Sequence, residues 1–305
     1  LFEVLNTHKD NRLTNLDEQL AAFNYVNGSL YAEHIRTASF DRGMRDMLLE
    51  CCALDWSQIS PAIFGALFQS VMDQKIRRNL GAHYTTEKNI LKLIHPLFLD
   101  ELRAEFEQVK GNTKKLKEFH SKLATLKFLD PACGCGNFLV IAYREIRLLE
   151  IDILRALLTK EGSTQLTTNV LDFGVLCDVD QFYGIEIEEF PAQIAQTALW
   201  LMDHQMNMLV SSEFGGYFVR LPLVKSATII YGNALQKDWQ EVVNPTELNY
   251  ILGNPPFIGK RYQNAVQKAD LARVFHDLPK AGLLDFVSAW YRKLCFARHD
   301  KQAYF

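Results

Sequence analysis

Asn254-Pro255-Pro256-Phe257 follows the apolar run Tyr250-Ile251-Leu252-Gly253, and these residue types suit one kind of chemistry. An exocyclic amine conjugated to a ring is a poor nucleophile. A rigid amide oxygen beside a fixed backbone carbonyl can accept both of its hydrogens and steer the nitrogen lone pair outward. The two prolines pin their own φ angles and hold the residue before each extended, so the loop reaches a substrate already shaped. Phe257 can then stack on the ring. The pattern suits methyl transfer to a planar amino nitrogen and by itself leaves a base in DNA, RNA and a protein amide open as acceptors.

Three earlier stretches place polar groups where short apolar strands should end. Asp130-Pro131-Ala132-Cys133-Gly134-Cys135-Gly136-Asn137-Phe138-Leu139 follows the apolar run from Leu126, and a glycine-rich turn there lets a ligand approach the backbone closely. Leu139 stands where a third glycine would complete a dinucleotide fingerprint, so a Rossmann dehydrogenase is disfavoured, while a purely structural turn stays open. Tyr183-Gly184-Ile185-Glu186-Ile187 brings an acid to a strand end, where a carboxylate holds a ribose diol or simply meets solvent. Tyr231-Gly232-Asn233-Ala234 offers an amide able to meet an adenine amino group or to close a turn. Four successive strand ends carrying such groups to one edge are harder to assign to chance than any one alone.

Delivering four groups to one edge requires parallel strands joined by helices. Strands are predicted over 126–129, 181–187, 226–231 and 248–252. Helices are predicted over about 137–158 and 190–210, the second opening on Pro191 with Ile194, Ala198, Leu201 and Met202 on one face. The connections 159–180 and 211–225 exceed the usual lengths and predict loops or small insertions. Residues 1–80 show helical spacing without strand alternation, as in Ile63, Leu67, Phe68, Val71 and Met72, and Ser60-Pro61 reads as a helix start. A further helix is expected from Glu87 to about Phe106 with Thr86 as its cap, and the lysine cluster at 110–117 is expected to be a solvated connector. Two domains are expected: a helical subdomain or connector over 1–80, and a catalytic core over 81–305.

The glycine turn from Asp130 to Leu139 together with Asn254-Pro255-Pro256-Phe257 resembles the S-adenosylmethionine-dependent DNA adenine-N6 methyltransferases, and the likeness covers about residues 81–305. Gly81-Ala82-His83-Tyr84-Thr85-Thr86 resembles the cofactor-binding segment that precedes the glycine loop in one permuted class. That order, with the wording of 183–207, is most similar to the methylase region of large single-chain type II restriction-modification enzymes. The resemblance implies an α/β fold of the class I methyltransferase type, a mostly parallel Rossmann-like sheet with helices on both faces. It implies S-adenosyl-L-methionine as cofactor and double-stranded DNA as partner, with the target adenine flipped out of the stack.

Residue by residue, the resemblance implies that Tyr84 and Thr85 hold the methionine moiety, lined by Asp130, Pro131, Ala132, Gly134, Gly136, Asn137 and Phe138. Glu186 would bind the ribose hydroxyls, Asn233 and Ala234 would meet the cofactor adenine, and Asp285 with Phe286 would wall the adenine and target pockets. Asn254, Pro255, Pro256 and Phe257 would be catalytic. In this family the sheet continues and a target-recognition domain follows, and in some members a nuclease domain precedes. Leu1 at the start and the strand-like Gln302-Ala303-Tyr304-Phe305 at the end lead to the expectation that the chain is a piece of such a protein, lacking the later strands and the recognition domain.

Composition sets the outer bounds. A chain of 305 residues forms one large domain or two smaller ones. A net charge of −3 and a pI near 6.3 carry no global signature of a nucleic-acid binder, so any such surface must be local. Lys260, Arg261, Lys268, Arg273 and Lys280 supply one such stretch. The cysteines at 51, 52, 133, 135, 177 and 295 form no C-x-x-C pair, and no metal site is expected. There is no signal peptide and no apolar run of the roughly 20 residues that a membrane span needs, so a cytoplasmic protein without membrane contact is expected. His95, His120 and His204, like Met202, Met206 and Met208, read as helix packing. Two rivals stand beside the main reading: an N-methyltransferase acting on RNA or protein glutamine, and a non-catalytic cofactor-binding module.

Overall fold

The computed structural model describes residues 2–26, 39–54, 59–71, 85–161, 174–215 and 226–297. The chain divides into two compact units, one of residues 1–60 with 219–224 and one of 61–218 with 225–305. The first unit holds the short helices α1 (Phe2–Asn6), α2 (Glu18–Ala22) and α3 (Arg42–Ala53). Asp17 and Asp41 cap α2 and α3 by accepting the backbone N–H of Gln19 and of Met44. Arg12 gathers this unit around its guanidinium, which donates to the carbonyls of Val4, Thr7 and Phe23 at 2.8, 3.0 and 2.7 Å.

The second unit opens with helices α4 (Ile63–Val71), α5 (Glu87–Ile94), α6 (Asp100–Val109) and α7 (Thr113–Thr125) and then builds a sheet. Its strands are β1 (Phe128–Asp130), β2 (Phe182–Glu186), β3 (Thr228–Tyr231) and β4 (Tyr250–Ile251), with α8 (Asn137–Glu161) between β1 and β2 and α9 (Glu189–Phe214) after β2. Helices α10 (Ala265–Val274) and α11 (Ser288–Ala297) follow β4. All pairings are parallel and the order is β3-β2-β1-β4. The chain steps from β1 outward to β2 and β3 on one side and places β4 on the other. The topological switch point, where open α/β sheets bind ligands, therefore lies between β1 and β4.

An aromatic clamp at the strand starts sets the register. Phe128 pairs with both Phe182 and Tyr250, and its ring stacks on theirs at 4.7 and 5.2 Å while Phe98 meets it edge-on at 5.2 Å. A one-residue slip would turn these rings to the opposite face, so the pairing is tightly specified. With the starts locked, the polar strand ends come level. The alternate residues Leu129, Ile185 and Ile251 point to the other face and pack there with Trp239, Phe286 and Trp290. The sheet is thus covered on both sides, the α/β architecture read from the sequence.

Between α8 and α9 lies a buried polar network centred on Arg147, which is fully enclosed. Arg147 donates to the Tyr143 hydroxyl at 2.7 Å, to Asp203 at 2.8 Å and to Asn207 at 2.8 Å. Its Nε lies 3.0 Å from Glu150. Glu150 also meets His120 at 2.9 Å and accepts the backbone N–H groups of Leu176 and Cys177 at 2.7 and 2.9 Å. Burial pushes the Glu150 carboxyl up, but the His120 hydrogen bond and the Arg147 charge outweigh it and hold the group below the usual carboxylate range.

Several expectations need correction. The lysine cluster at 110–117 is not a connector: α7 runs through it, capped by Asn112, and buries Leu116, Phe119 and Leu123 while its lysines face outward. The helix predicted from Glu87 runs without a break to Val109, widened by a π-helical turn over His95–Leu99, where Pro96 lacks an N–H. Thr86 heads α5 but makes no side-chain cap bond. Helices α8 and α9 run on to Glu161 and Phe214, beyond the predicted ends. The helix expected at Pro61 starts at Ile63, and α10 was not foreseen. His120 is buried and bonded, but His204, Leu201 and Met208 lie on the outer face of α9. Residues 81–84, Met72 and the strand expected at 302–305 lie outside the described residues. Among the described residues no helix is long and apolar enough to cross a membrane.

Candidate active site

The end of β1 is built as a brace followed by an opening. Asp130 is buried and its Oδ1 accepts the Ala132 N–H at 3.0 Å. The Cys133 N–H reaches across to the Ile185 carbonyl at 3.1 Å and ties the turn to β2. Gly134 and Gly136 take φ values of 56° and 81°, the left-handed region that other residues rarely enter. Their roles differ. A Cβ on Gly136 would press against Ala195 of α9 at 2.9 Å, whereas nothing stands within 4 Å of one on Gly134. Gly136 therefore serves helix packing, and Gly134 leaves the turn open to an approaching ligand. Asn137 begins α8 with its amide against α4, where a Cβ on Gly65 would overlap it, and Phe138 is buried.

Burial pushes the Asp130 carboxyl up to about 8, against the Ala132 hydrogen bond and with help from the nearby Glu186 charge. Glu186 ends β2 and braces the same turn: one carboxylate oxygen accepts the Gly134 N–H at 2.8 Å and the other the Glu188 N–H at 3.0 Å. Its carboxyl is raised by burial too. At the end of β3, Asn233 is engaged at both amide atoms. Its oxygen accepts the Leu235 N–H at 2.9 Å and its nitrogen donates to Asp270 at 2.7 Å. Ala234 is buried behind it, its carbonyl accepting from Trp239 at 2.9 Å.

Strand β4 brings the last group beside β1. The Leu252 N–H donates to the Leu129 carbonyl at 3.0 Å. Gly253, at φ 153°, lies so close to Asp130 that any Cβ there would overlap the carboxylate. Asn254 follows at once, exposed, with Nδ2 donating to the Thr85 hydroxyl at 3.2 Å. Pro255 is buried, Pro256 is half-buried, and the Phe257 ring is 61 % exposed and free to stack. Ile258 anchors the loop: its carbonyl accepts from the Phe286 N–H at 3.0 Å and from Gln263 at 3.1 Å. Asp285 sits beside this loop, its Oδ1 3.6 Å from where a Cβ on Gly259 would stand. Trp290 of α11 donates to the Pro131 carbonyl at 3.2 Å and walls the glycine turn.

The fold thus brings Thr85, the glycine turn, Glu186 and Asn254 to one edge, with Asp285 on the adjoining loop. Asn233 arrives at the same edge as a turn brace, and Tyr84 lies outside the described residues. Sequence reasoning missed Asp270, which also accepts from Gln236 at 2.8 Å, and missed Gln263 and Trp290. The capping box of Asn264 and Gln267 marks the start of α10 and could have exposed Asp270 as an acid beside buried Leu271. No signal in the sequence marks Gln263.

Comparisons with known proteins bear on the family and the fold. The chain is 37% identical over 295 residues to DNA methyltransferase A of Bacillus subtilis (strain 168), a match that covers 95% of the chain and 32% of that protein. It is 60% identical to the type IIL restriction-modification enzyme MmeI solved in complex with DNA, superposing with a TM-score of 0.91 over 97% of the chain and 39% of that enzyme. The chain therefore spans about a third of the length of these relatives. Residues 106–304 match the family model described as the DNA-methyltransferase domain of MmeI, and the chain belongs to that family.

Proposed function

We propose that this chain transfers a methyl group from S-adenosyl-L-methionine to the N6 amine of adenine in DNA, within a restriction-modification or phage-defence enzyme. The observation that carries the reading is the placement of Asn254 directly beyond Gly253, which is pressed against Asp130 across the switch point. An amine-engaging group and an open glycine turn thereby meet at the crevice where α/β folds bind ligands.

The residues present fit the cofactor. Gly134 leaves room for close backbone approach, and Asp130 and Glu186 place beside the turn two carboxyls whose pKa burial raises and whose ionised forms a bound cation would favour. Thr85, Asp130, Pro131, Ala132, Gly134, Gly136, Asn137, Phe138, Glu186, Asn233, Ala234 and Asp285 are the residues assigned to hold it. Tyr84 is assigned with them on the resemblance alone. When bound, the cofactor supplies an electrophilic methyl group on a sulfonium. The protein's part is alignment more than strong base catalysis. Asn254 Oδ1 and the Pro255 carbonyl accept the two N6 hydrogens, so that the nitrogen lone pair turns toward the methyl carbon. Phe257 stacks on the adenine, which must be flipped out of the duplex to arrive here. The N6 nitrogen held by Asn254 and Pro255 would gain the methyl that the bound cofactor supplies, releasing one N6 proton to solvent and the cofactor as a neutral thioether.

DNA in the cytoplasm is the partner, with a downstream target-recognition domain and an upstream nuclease as candidate companions in the full-length protein. Asn254→Ala tests the core assignment. Methyl transfer to DNA should fall at least about a hundredfold while cofactor binding persists, and unchanged turnover would remove it.

A further inference from the structure

We propose that Thr85 is a positioning residue for the reaction, its hydroxyl holding the Asn254 side chain at the edge where the acceptor arrives. This rests on the reading of Asn254 as the group that engages the amine. A primary amide is two-ended: the nitrogen donates and the oxygen accepts. Only the oxygen can receive the hydrogens of an amine, and an amide turned by half a rotation would set N–H against N–H. The Asn254 backbone is held by Gly253 on one side and Pro255 on the other, but neither restrains the side-chain torsion.

Thr85 supplies that restraint. Its Oγ1 accepts from Asn254 Nδ2 at 3.2 Å, the one side-chain hydrogen bond of Asn254 among the described residues. In the observed arrangement the nitrogen is engaged and Oδ1 faces outward to accept. The hydroxyl is well placed to hold a fixed position, because Thr85 precedes Thr86 at the head of α5, and α5 is anchored by buried Ile90 and Ile94. The role differs from holding the methionine moiety: a cofactor contact governs affinity, whereas an amide-orienting contact governs the rate once everything is bound.

The test uses the full-length protein and DNA lacking adenine methylation, following labelled methyl transfer in a single turnover at saturating S-adenosylmethionine. Cofactor affinity is measured separately by calorimetry. Thr85→Val, which keeps the shape and removes the hydroxyl, should slow transfer about tenfold at saturating cofactor, a loss of rate beyond whatever change the cofactor dissociation constant shows. Thr85→Ser, which restores the hydroxyl on a smaller side chain, should recover the rate, as a packing defect would not. A Thr85→Val rate equal to wild type overturns the role, and so does a loss confined to cofactor affinity. Asn254→Ala is assayed alongside. If it remains active, the underlying reading fails; if it is inactive while Thr85→Val is unaffected, only the role of Thr85 fails.

Discussion

Two parts of the sheet unit bury charge and do opposite things with it. Between α8 and α9, Arg147 has Tyr143, Asp203, Asn207 and Glu150 around it, and Glu150 is met in turn by His120 and two backbone N–H groups. Opposite charges face one another there, and the Glu150 carboxyl is held low. At the ends of β1 and β2, Asp130 and Glu186 are neighbouring carboxyls with no ion-pair partner among the described residues, and both are raised by burial. The first arrangement is closed on itself and holds two helices together. The second is not closed by any described cation and so has room for the cationic cofactor proposed above.

The sharpest way to break this contrast is to open the closed network. Arg147→Met removes the cation and leaves Asp203 and Glu150 enclosed without it, which should cost about 3–5 kcal/mol of stability. Denaturant unfolding reads the change, and a loss under about 1 kcal/mol, the scale of an exposed pair, would show that the network is not the helix-to-helix bond described here.

Next in size is a difference in sign with pH. The folded-state carboxyl of Asp130 sits at about 8, above its ordinary 3.8, so the folded state binds the extra proton and this group's contribution to stability is lost as pH rises from about 4 to about 8. Glu150 is lowered from 4.5, so its contribution is present above that value and is lost as pH falls below it. Asp130→Asn should flatten the decline toward pH 8 and leave the acid limb intact, and Glu150→Gln should change the acid limb alone. Thermal midpoints across pH 4–8 that are the same for wild type and Asp130→Asn would erase the distinction.

The two regions also differed in how far the sequence revealed them. The strand ends were legible because each joins an apolar run abruptly to a polar or glycine residue, a local signal within about ten positions. Asp130, Gly134, Glu186 and Asn254 could be read in this way. What each would touch could not. Thr85 lies 169 positions from Asn254, and Asn233 looked outward until Asp270, 37 positions on, was seen to hold it. The helix network was hidden for the same reason. Tyr143, Arg147 and Glu150 are spaced as a helix face, but a charged face reads as solvated until a second helix with Asp203 and Asn207 is placed on it. The lysines at 110–117 show the converse, since their number masked the apolar spacing of Leu116, Phe119 and Leu123.

A third class of charge sharpens the comparison at its smallest effect. Lys260 and Arg261 follow the Asn254–Phe257 loop on an exposed turn with Tyr262, and neither has an ion-pair partner among the described residues. Unlike Arg147 they are not enclosed, and unlike Asp130 they carry no desolvation penalty, so the chain itself gains little from them. Their value would lie in meeting DNA phosphates beside the flipped base. In the full-length protein, Lys260→Ala with Arg261→Ala should weaken DNA binding across all sequences and lower the slope of log affinity against log salt by up to about 2, one for each phosphate left without its cation. Fold stability should stay within about 0.5 kcal/mol of wild type. An unchanged salt slope would mean that these cations are solvated surface and do not meet DNA phosphates.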